Sequence, residues 1–138
     1  MKIKVPFNYL PFQFKNLNLY IKRWKLLAKS SEFTLGPFVE KFEKVFSKYL
    51  GVKYCISTNS GTDALILCLK ALGVKPGDEV ITVTNSFFAT AGAIAAVDAK
   101  IKLVDTDDRY QININMLKKK INKKTKVILP VHWGGASP

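Results

Sequence analysis

Cysteine, histidine and acidic side chains are scarce in this chain: two cysteines, one histidine and ten Asp or Glu in 138 residues. Cys55 and Cys68 stand far from any C-x-x-C spacing, which argues against a zinc site and against a disulfide staple. They read as small buried thiols in a reducing compartment. No apolar run approaches the length of a membrane span, and Met1–Phe7 has basic residues but no uninterrupted apolar segment of the kind a signal peptide needs. No G-x-G-x-x-G follows the first strand and no G-x-x-x-x-G-K-[ST] is present, so dinucleotide and P-loop readings have little support. Internal repeats and low-complexity tracts are missing as well. With 48% hydrophobic and 23% charged residues, the expectation is a soluble, cytoplasmic, globular chain with a real core.

What the acids lack, the bases supply. Lys and Arg number 22, for a formal charge of +12. The densest run is Lys118-Lys119-Lys120-Ile121-Asn122-Lys123-Lys124, with Lys126 just beyond. No aromatic residue interleaves with these lysines, and no zinc-finger or RRM signature accompanies them. A solvated helix face explains the run best; attraction of a phosphorylated or nucleotide-linked substrate is a weaker functional option.

The informative stretch is Thr58-Asn59-Ser60-Gly61-Thr62-Asp63-Ala64-Leu65. The short apolar run Tyr54-Cys55-Ile56 before it reads as a buried strand, and the Leu- and Ala-rich run to Leu72 after it as a helix. A Ser/Gly/Thr turn entering a helix is a ready anion site, because first-turn N–H groups lack intrahelical partners and the dipole end is positive. Gly61 permits close approach of a phosphate, and the Ser60 and Thr62 hydroxyls can donate to it. Simple helix capping by Ser60 or Thr62 explains the same residues.

Along the chain, residues 1–15 read as an irregular, partly buried aromatic arm, followed by a helix from Asn16 or Asn18 to about Lys29. Pro37 suits a helix first turn, Phe38, Phe42, Val45, Phe46 and Tyr49 follow at helical spacing as a core stripe, and Gly51 stops the helix. Gly73 ends the next helix, and Lys75-Pro76-Gly77-Asp78 makes a turn. Strands are expected at 79–83, 101–105 and 127–132, giving four with 54–56. Helices are expected from Phe87 to about Val97, capped by Asn85 or Ser86, and from Met116 to Ile121, capped by Asn115. The alternation predicts an α/β fold, a mostly parallel sheet flanked by helices. Ligands of such sheets bind beyond the carboxyl ends of the strands. Four segments meet that description: Thr58–Thr62, Thr84–Phe88, Asp105–Asp108 and His132–Gly135. Together they would suit a flat, phosphorylated cofactor.

A set of motifs then occurs in one order. Thr34-Leu35-Gly36-Pro37 leads into Val39-Glu40-Lys41-Phe42-Glu43; Ser60–Leu65 follows; then Pro76-Gly77-Asp78-Glu79-Val80-Ile81, Ser86-Phe87-Phe88-Ala89-Thr90, Val104-Asp105 and Pro130-Val131-His132. In this series the chain resembles the N-terminal part of the sugar aminotransferases of the DegT–StrS group, which use pyridoxal 5'-phosphate (PLP) on the fold-type I scaffold.

The resemblance implies that Ser60, Gly61, Thr62 and Asp63 surround the PLP phosphate and that Phe87 stacks on the pyridine ring, against the alternative of a core Phe packed at a helix start. Asp105 either lines the site or caps the next loop. His132 is assigned to the substrate side of the pocket, beside the alternative of a satisfied polar group at a strand end. Where the family often has Gln after the glycine of the last loop, Ala136 stands here, so no sugar or partner-subunit contact is carried over to that loop. No metal is implied.

The implied reaction moves an amino group, usually from glutamate, to a keto sugar that is typically nucleotide-linked, in surface polysaccharide or amino-sugar biosynthesis, by enzymes that work as homodimers. The lysine that anchors PLP and the Asp that pairs with its ring nitrogen lie C-terminal to the last motif matched. The chain is thus expected to be a truncated piece, with an arm and helix over residues 1–36 and an incomplete PLP-binding large domain over 37–138, inactive alone. A PLP-dependent sugar dehydratase on the same scaffold and a non-catalytic basic module that binds nucleic acid or membrane are the rivals.

Overall fold

A computed structural model describes residues 9–137, apart from the side chain of Pro11. The chain divides into two compact units, Met1–Ser57 and Thr58–Pro138. In the first, α1 (Leu10–Gln13), α2 (Leu17–Ser30) and α3 (Pro37–Leu50) are joined by short connections. Asn16 stands at the N-cap of α2 without a side-chain cap bond. Pro37 occupies the first turn of α3, where a missing N–H costs nothing, and Gly51 closes the helix at φ 69.

This unit corrects several expectations. No residue of α2 or α3 is buried, and the stripe Phe38, Phe42, Val45, Phe46 and Tyr49 is exposed within the unit. Its rings pack along the helix instead, with Phe42 and Phe46 stacked at 5.3 Å, as i, i+4 spacing on one face allows. The described part of the arm, with Tyr9, Phe12 and Phe14, is exposed rather than partly buried, and residues 1–8 lie outside the described residues. Tyr54–Ile56 is no strand: none of the described residues pairs with it, and Tyr54 and Ile56 are exposed. Cys55 is half-buried and Cys68 exposed, so the thiols are not core residues. The segment is anchored by Glu43, whose Oε1 accepts the Ser57 N–H at 2.6 Å.

In the second unit α4 (Gly61–Ala71) leads to β1 (Glu79–Val83), α5 (Phe88–Ala95), β2 (Lys100–Val104), α6 (Ile114–Lys120) and β3 (Thr125–Leu129). The three strands are parallel in the order β2-β1-β3, with Val80 opposite Ile101 and Val127. The chain crosses from β1 to β2 in one direction and from β2 past β1 to β3 in the other. Right-handed crossovers in opposite directions require helices on opposite faces. The packing agrees. Val80 joins Leu69, Val74, Ala93, Ile94 and Val97 of the α4/α5 layer; Ile81 and Val83 join Val104, Ile112 and Leu117 on the α6 side. All five residues of β1 are buried. The expected α/β class holds, with three strands among the described residues rather than four.

Two caps sit elsewhere than expected. The N-cap of α5 is Phe87, with no side-chain cap bond; Ser86 Oγ instead pairs with Thr90 Oγ1 at 2.7 Å, which takes it away from the helix amides. Asn113, not Asn115, caps α6, its Oδ1 accepting the Met116 N–H at 3.0 Å. The edge strands run two to three residues ahead of the apolar run at β3 and one ahead at β2, because pairing with β1 sets their register.

Glu79 is a charged group within this core. Its carboxylate accepts from Asn122 Nδ2 at 2.7 Å and lies 3.5 Å from Lys102 Nζ. The Asn122 hydrogen bond holds the carboxyl below its usual 4.5, helped by Lys102 and opposed by desolvation. A carboxyl depressed on folding contributes stability that is complete above its unfolded pKa and is lost as pH falls through the folded value. In urea titrations the midpoint is therefore expected to drop as pH falls below the usual value, and to drop less in Glu79→Gln. Parallel pH profiles for the two chains would remove Glu79 as a source of acid sensitivity.

Candidate functional site

At the carboxyl ends of β1 and β3 the second unit has a cavity of about 530 Å³. Gly61, Thr62 and Leu65 from the start of α4, Ser86, Phe87, Ala89 and Thr90 after β1, and Val131 and Trp133 after β3 line it. The place agrees with the rule that a parallel sheet takes its ligands beyond the carboxyl ends of its strands. The volume lies in the range of small-molecule sites.

The start of α4 supplies the polar rim. Ser60 is the N-cap: its Oγ accepts the Asp63 N–H at 3.1 Å and donates to Asp63 Oδ2 at 2.8 Å. The Ala64 N–H goes to the Ser60 carbonyl at 3.0 Å. Of the four first-turn amides those of Gly61 and Thr62 make no hydrogen bond among the described residues, and both residues line the cavity. A Cβ at Gly61 would meet no protein atom within 4 Å, so the space beside this glycine is free for an occupant. The capping reading therefore holds for Ser60, whereas the donors left over for an anion are the two backbone amides.

Phe87 supplies an aromatic face. It is 67% exposed, which removes the reading of it as a core residue, and its ring contacts Phe88 at 4.5 Å between centroids. Packing at the head of α5 is the work of Ala89, Ala93 and Ile94; Phe88 is exposed and does not share it. Opposite elements contribute Trp133, in a short 3-10 turn at Trp133–Gly135, where Gly134 and Gly135 adopt φ of 62 and 83 that few other residues tolerate.

Of the six residues singled out from the sequence, Gly61, Thr62 and Phe87 are brought to one cavity. Ser60 and Asp63 turn to each other beside it, and His132 is exposed and is not among its lining residues. Asp105 also stays outside: its Oδ1 accepts from Thr84 Oγ1 at 3.4 Å and its carbonyl from the Asn113 N–H at 3.1 Å, so it ties the loop after β2. Leu65, Ala89, Thr90 and Val131 line the cavity from outside the four segments expected to meet a ligand, and Trp133 lies within the last of those segments without having been singled out. Ala89 and Thr90 were legible as the end of the Ser86–Thr90 motif, and Trp133 as the aromatic residue next to the singled-out histidine.

The loop that follows β2 is rigidly built. Asp107 Oδ1 accepts the N–H of Arg109 at 2.9 Å and of Gln111 at 3.0 Å, and Oδ2 accepts from the Arg109 guanidinium at 3.1 Å. The Gln111 amide, together with Arg109, holds the Asp107 carboxyl below its usual 3.8, against desolvation. The lysines of the basic run, Lys118–Lys120, Lys123, Lys124 and Lys126, are all exposed. Three of them end α6, where the helix dipole favours positive charge.

The family model described as the DegT/DnrJ/EryC1/StrS aminotransferase family matches residues 18–138. The chain belongs to that family. It is 46% identical over 107 residues to the 3-oxo-glucose-6-phosphate:glutamate aminotransferase of Bacillus subtilis, which covers 77% of this chain and 24% of that protein. The solved structure of NtdA from Bacillus subtilis with bound cofactor PMP superposes with a TM-score of 0.85 at 40% identity, over 96% of this chain and 31% of that one. Escherichia coli GDP-4-keto-6-deoxy-D-mannose-3-dehydratase with bound hydrated PLP gives a TM-score of 0.75 at 32% identity, over 81% and 31%. The chain thus spans about a quarter to a third of the length of these family members. No helix among the described residues is long and apolar enough to cross a membrane.

Proposed function

We propose that this chain carries the phosphate- and ring-binding part of a PLP-dependent sugar aminotransferase, cytoplasmic and homodimeric, that moves an amino group from glutamate to a nucleotide-linked keto sugar. One observation carries the reading: Gly61 and Thr62, whose amides are unpaired among the described residues, and Phe87, whose side chain is exposed, line the same cavity. The amides would hold the phosphate, with the Thr62 hydroxyl as a further donor, and Phe87 would hold the flat ring by offset stacking. The reciprocal bonds of Ser60 and Asp63 would hold the first turn of α4 in place around those amides. Leu65, Ala89 and Val131 would give a bound ring an apolar wall and lower the dielectric beside an anion. When bound, the cofactor supplies an electron sink for the carbanion formed next to the transferred nitrogen.

Phe87→Ala is expected to weaken PLP binding about tenfold, the scale of one lost stacking contact with its buried area. Since the ring is mostly exposed, folding stability should stay within about 0.5 kcal/mol. PLP titration and thermal melts on the same two samples make the comparison; an unchanged affinity would place the cofactor elsewhere.

No lysine is among the residues lining the cavity. The 138-residue chain alone is accordingly expected to leave transamination undone. Treatment with PLP and borohydride should give scattered, substoichiometric labelling, and stoichiometric labelling of a single lysine would overturn this. Likeness to the E. coli dehydratase favours a second reading, removal of a sugar hydroxyl on the same scaffold. The two separate in the full-length enzyme: only an aminotransferase transfers nitrogen from labelled glutamate to the sugar product.

A further inference from the structure

Gln111 is 1% exposed and lies on the loop between β2 and α6. Its Nε2 donates to the Arg109 carbonyl at 3.2 Å and to the Trp133 carbonyl at 3.1 Å. The first bond is local. The second spans 22 residues and joins the loop after β2 to the loop after β3. Its Oε1 is buried and accepts no hydrogen bond among the described residues. The alternative amide orientation would set that oxygen against two carbonyls, so the two acceptors fix which way the group points. A buried orphan acceptor is costly, and Met would fill a similar volume without it. The donors are what this residue provides that an apolar one does not.

The loop around Gln111 is braced for the task. The Asp107 N–H donates to the Gln111 carbonyl at 2.7 Å, while the Gln111 N–H returns to Asp107 Oδ1 at 3.0 Å. Tyr110, between them, is held at φ 62, a conformation a tyrosine seldom adopts. At the far end, the hydrogen bonds of the Trp133 loop are short-range: Trp133 N–H to Val131 at 3.0 Å, Gly135 N–H to His132 at 3.1 Å and Ala136 N–H to Trp133 at 3.2 Å, with Val131 packed on the core and two glycines at positive φ. Among the described residues the Gln111 bond is the one that ties this loop to the loop after β2.

We propose that Gln111 is a positioning residue: from the Asp107-braced loop it holds the backbone of Trp133 and thereby fixes the wall that Trp133 gives the cavity. Its effect on cofactor affinity rests on the function proposed above; its grip on Trp133 does not.

The chain has two tryptophans, so a Trp24→Phe background leaves Trp133 as the only reporter. In that background Gln111→Met keeps the volume and removes both donors. Amide exchange at Gly135 and Ala136 is expected to rise about tenfold, the scale of losing one to two buried hydrogen bonds, and acrylamide should quench Trp133 more strongly. Gln111→Glu should loosen Trp133 further at neutral pH, because a carboxylate only accepts, and should recover partly in acid as it gains an O–H donor. If Gln111→Met shows unchanged exchange and quenching, or merely melts earlier with Trp133 unaffected, the residue is structural filler and the proposal fails. Should the variants not fold, NMR of the unmutated chain decides: slow exchange of the Gln111 side-chain amide protons supports the bond, and exchange as fast as for exposed glutamines overturns it. PLP added to the same samples separates the two claims. Loosened Trp133 with no PLP binding to either chain retains the positioning role and rejects the cofactor reading.

Discussion

Gly61→Ala is expected to weaken PLP binding between about tenfold and a hundredfold, the loss of one charge-assisted hydrogen bond at ~1.5–3 kcal/mol, while leaving the folded chain intact. Gly61 is the first residue of α4 and has no positive φ, and a Cβ there would touch no protein atom. Alanine is also the better helix former by up to about 1 kcal/mol, so the melting temperature without ligand should stay level or rise. A glycine that the backbone does not need has to be needed by something else, or by nothing. If an anion is drawn against the amides of Gly61 and Thr62, a methyl on the first of them stands in its approach. Fluorescence titration of Trp133 with PLP, alongside inorganic phosphate, measures the loss. A Gly61→Ala chain that melts higher and binds PLP equally well would leave the capped helix as a structural element only.

That prediction also shows where the residues alone stopped short. The Ser-Gly-Thr turn before an apolar helix marks a candidate anion site because helix termini leave amides unpaired whatever the fold around them. It did not divide the labour within the turn. Ser60 and Asp63 satisfy each other, and the amides left unpaired, those of Gly61 and Thr62, are backbone groups, which have no signature of their own in a sequence. Phe87 was singled out through the motif it shares with the family, and the fold brings it to the same cavity. From the last loop polar chemistry draws attention to His132, whereas the residue of that loop that lines the cavity is Trp133.

Packing was legible only where one unit contains both partners. The apolar run of β1 reads as a buried strand and is one, because α4, α5 and α6 cover it from two sides. The aromatic stripe of α3 has the same helical spacing that core residues have, yet it is exposed within its unit. Periodicity reports which face of a helix is apolar; it carries no information on what covers that face. Tyr54–Ile56 failed as a strand on similar grounds, since a strand is a pairing and a run of apolar residues is only half of one.

The distinction between central and edge strands gives the other large effect. Ile81→Ala is expected to cost about 3–4 kcal/mol, the upper part of the range for emptying a fully buried site. Ile81 is 0% exposed, in the middle of β1, and packs with Val83, Val104, Ile112 and Leu117. Val83 and Val104 are held by the sheet, Leu117 by α6 and Ile112 by its bridge to Thr106, so the cavity left behind has little room to collapse. In a unit of this size each kcal/mol lowers the melting temperature by roughly 4–8 °C, and the total is comparable with the whole stability of many small domains. Leu103→Ala is the matched control, a similar truncation at an equally apolar strand position. Leu103 lies on the edge strand β2 and is 43% exposed, so its loss should cost about 1 kcal/mol or less. Urea midpoints for the two variants test the strand order directly. Equal destabilisation would mean that β1 is not the strand on which both halves of the core depend.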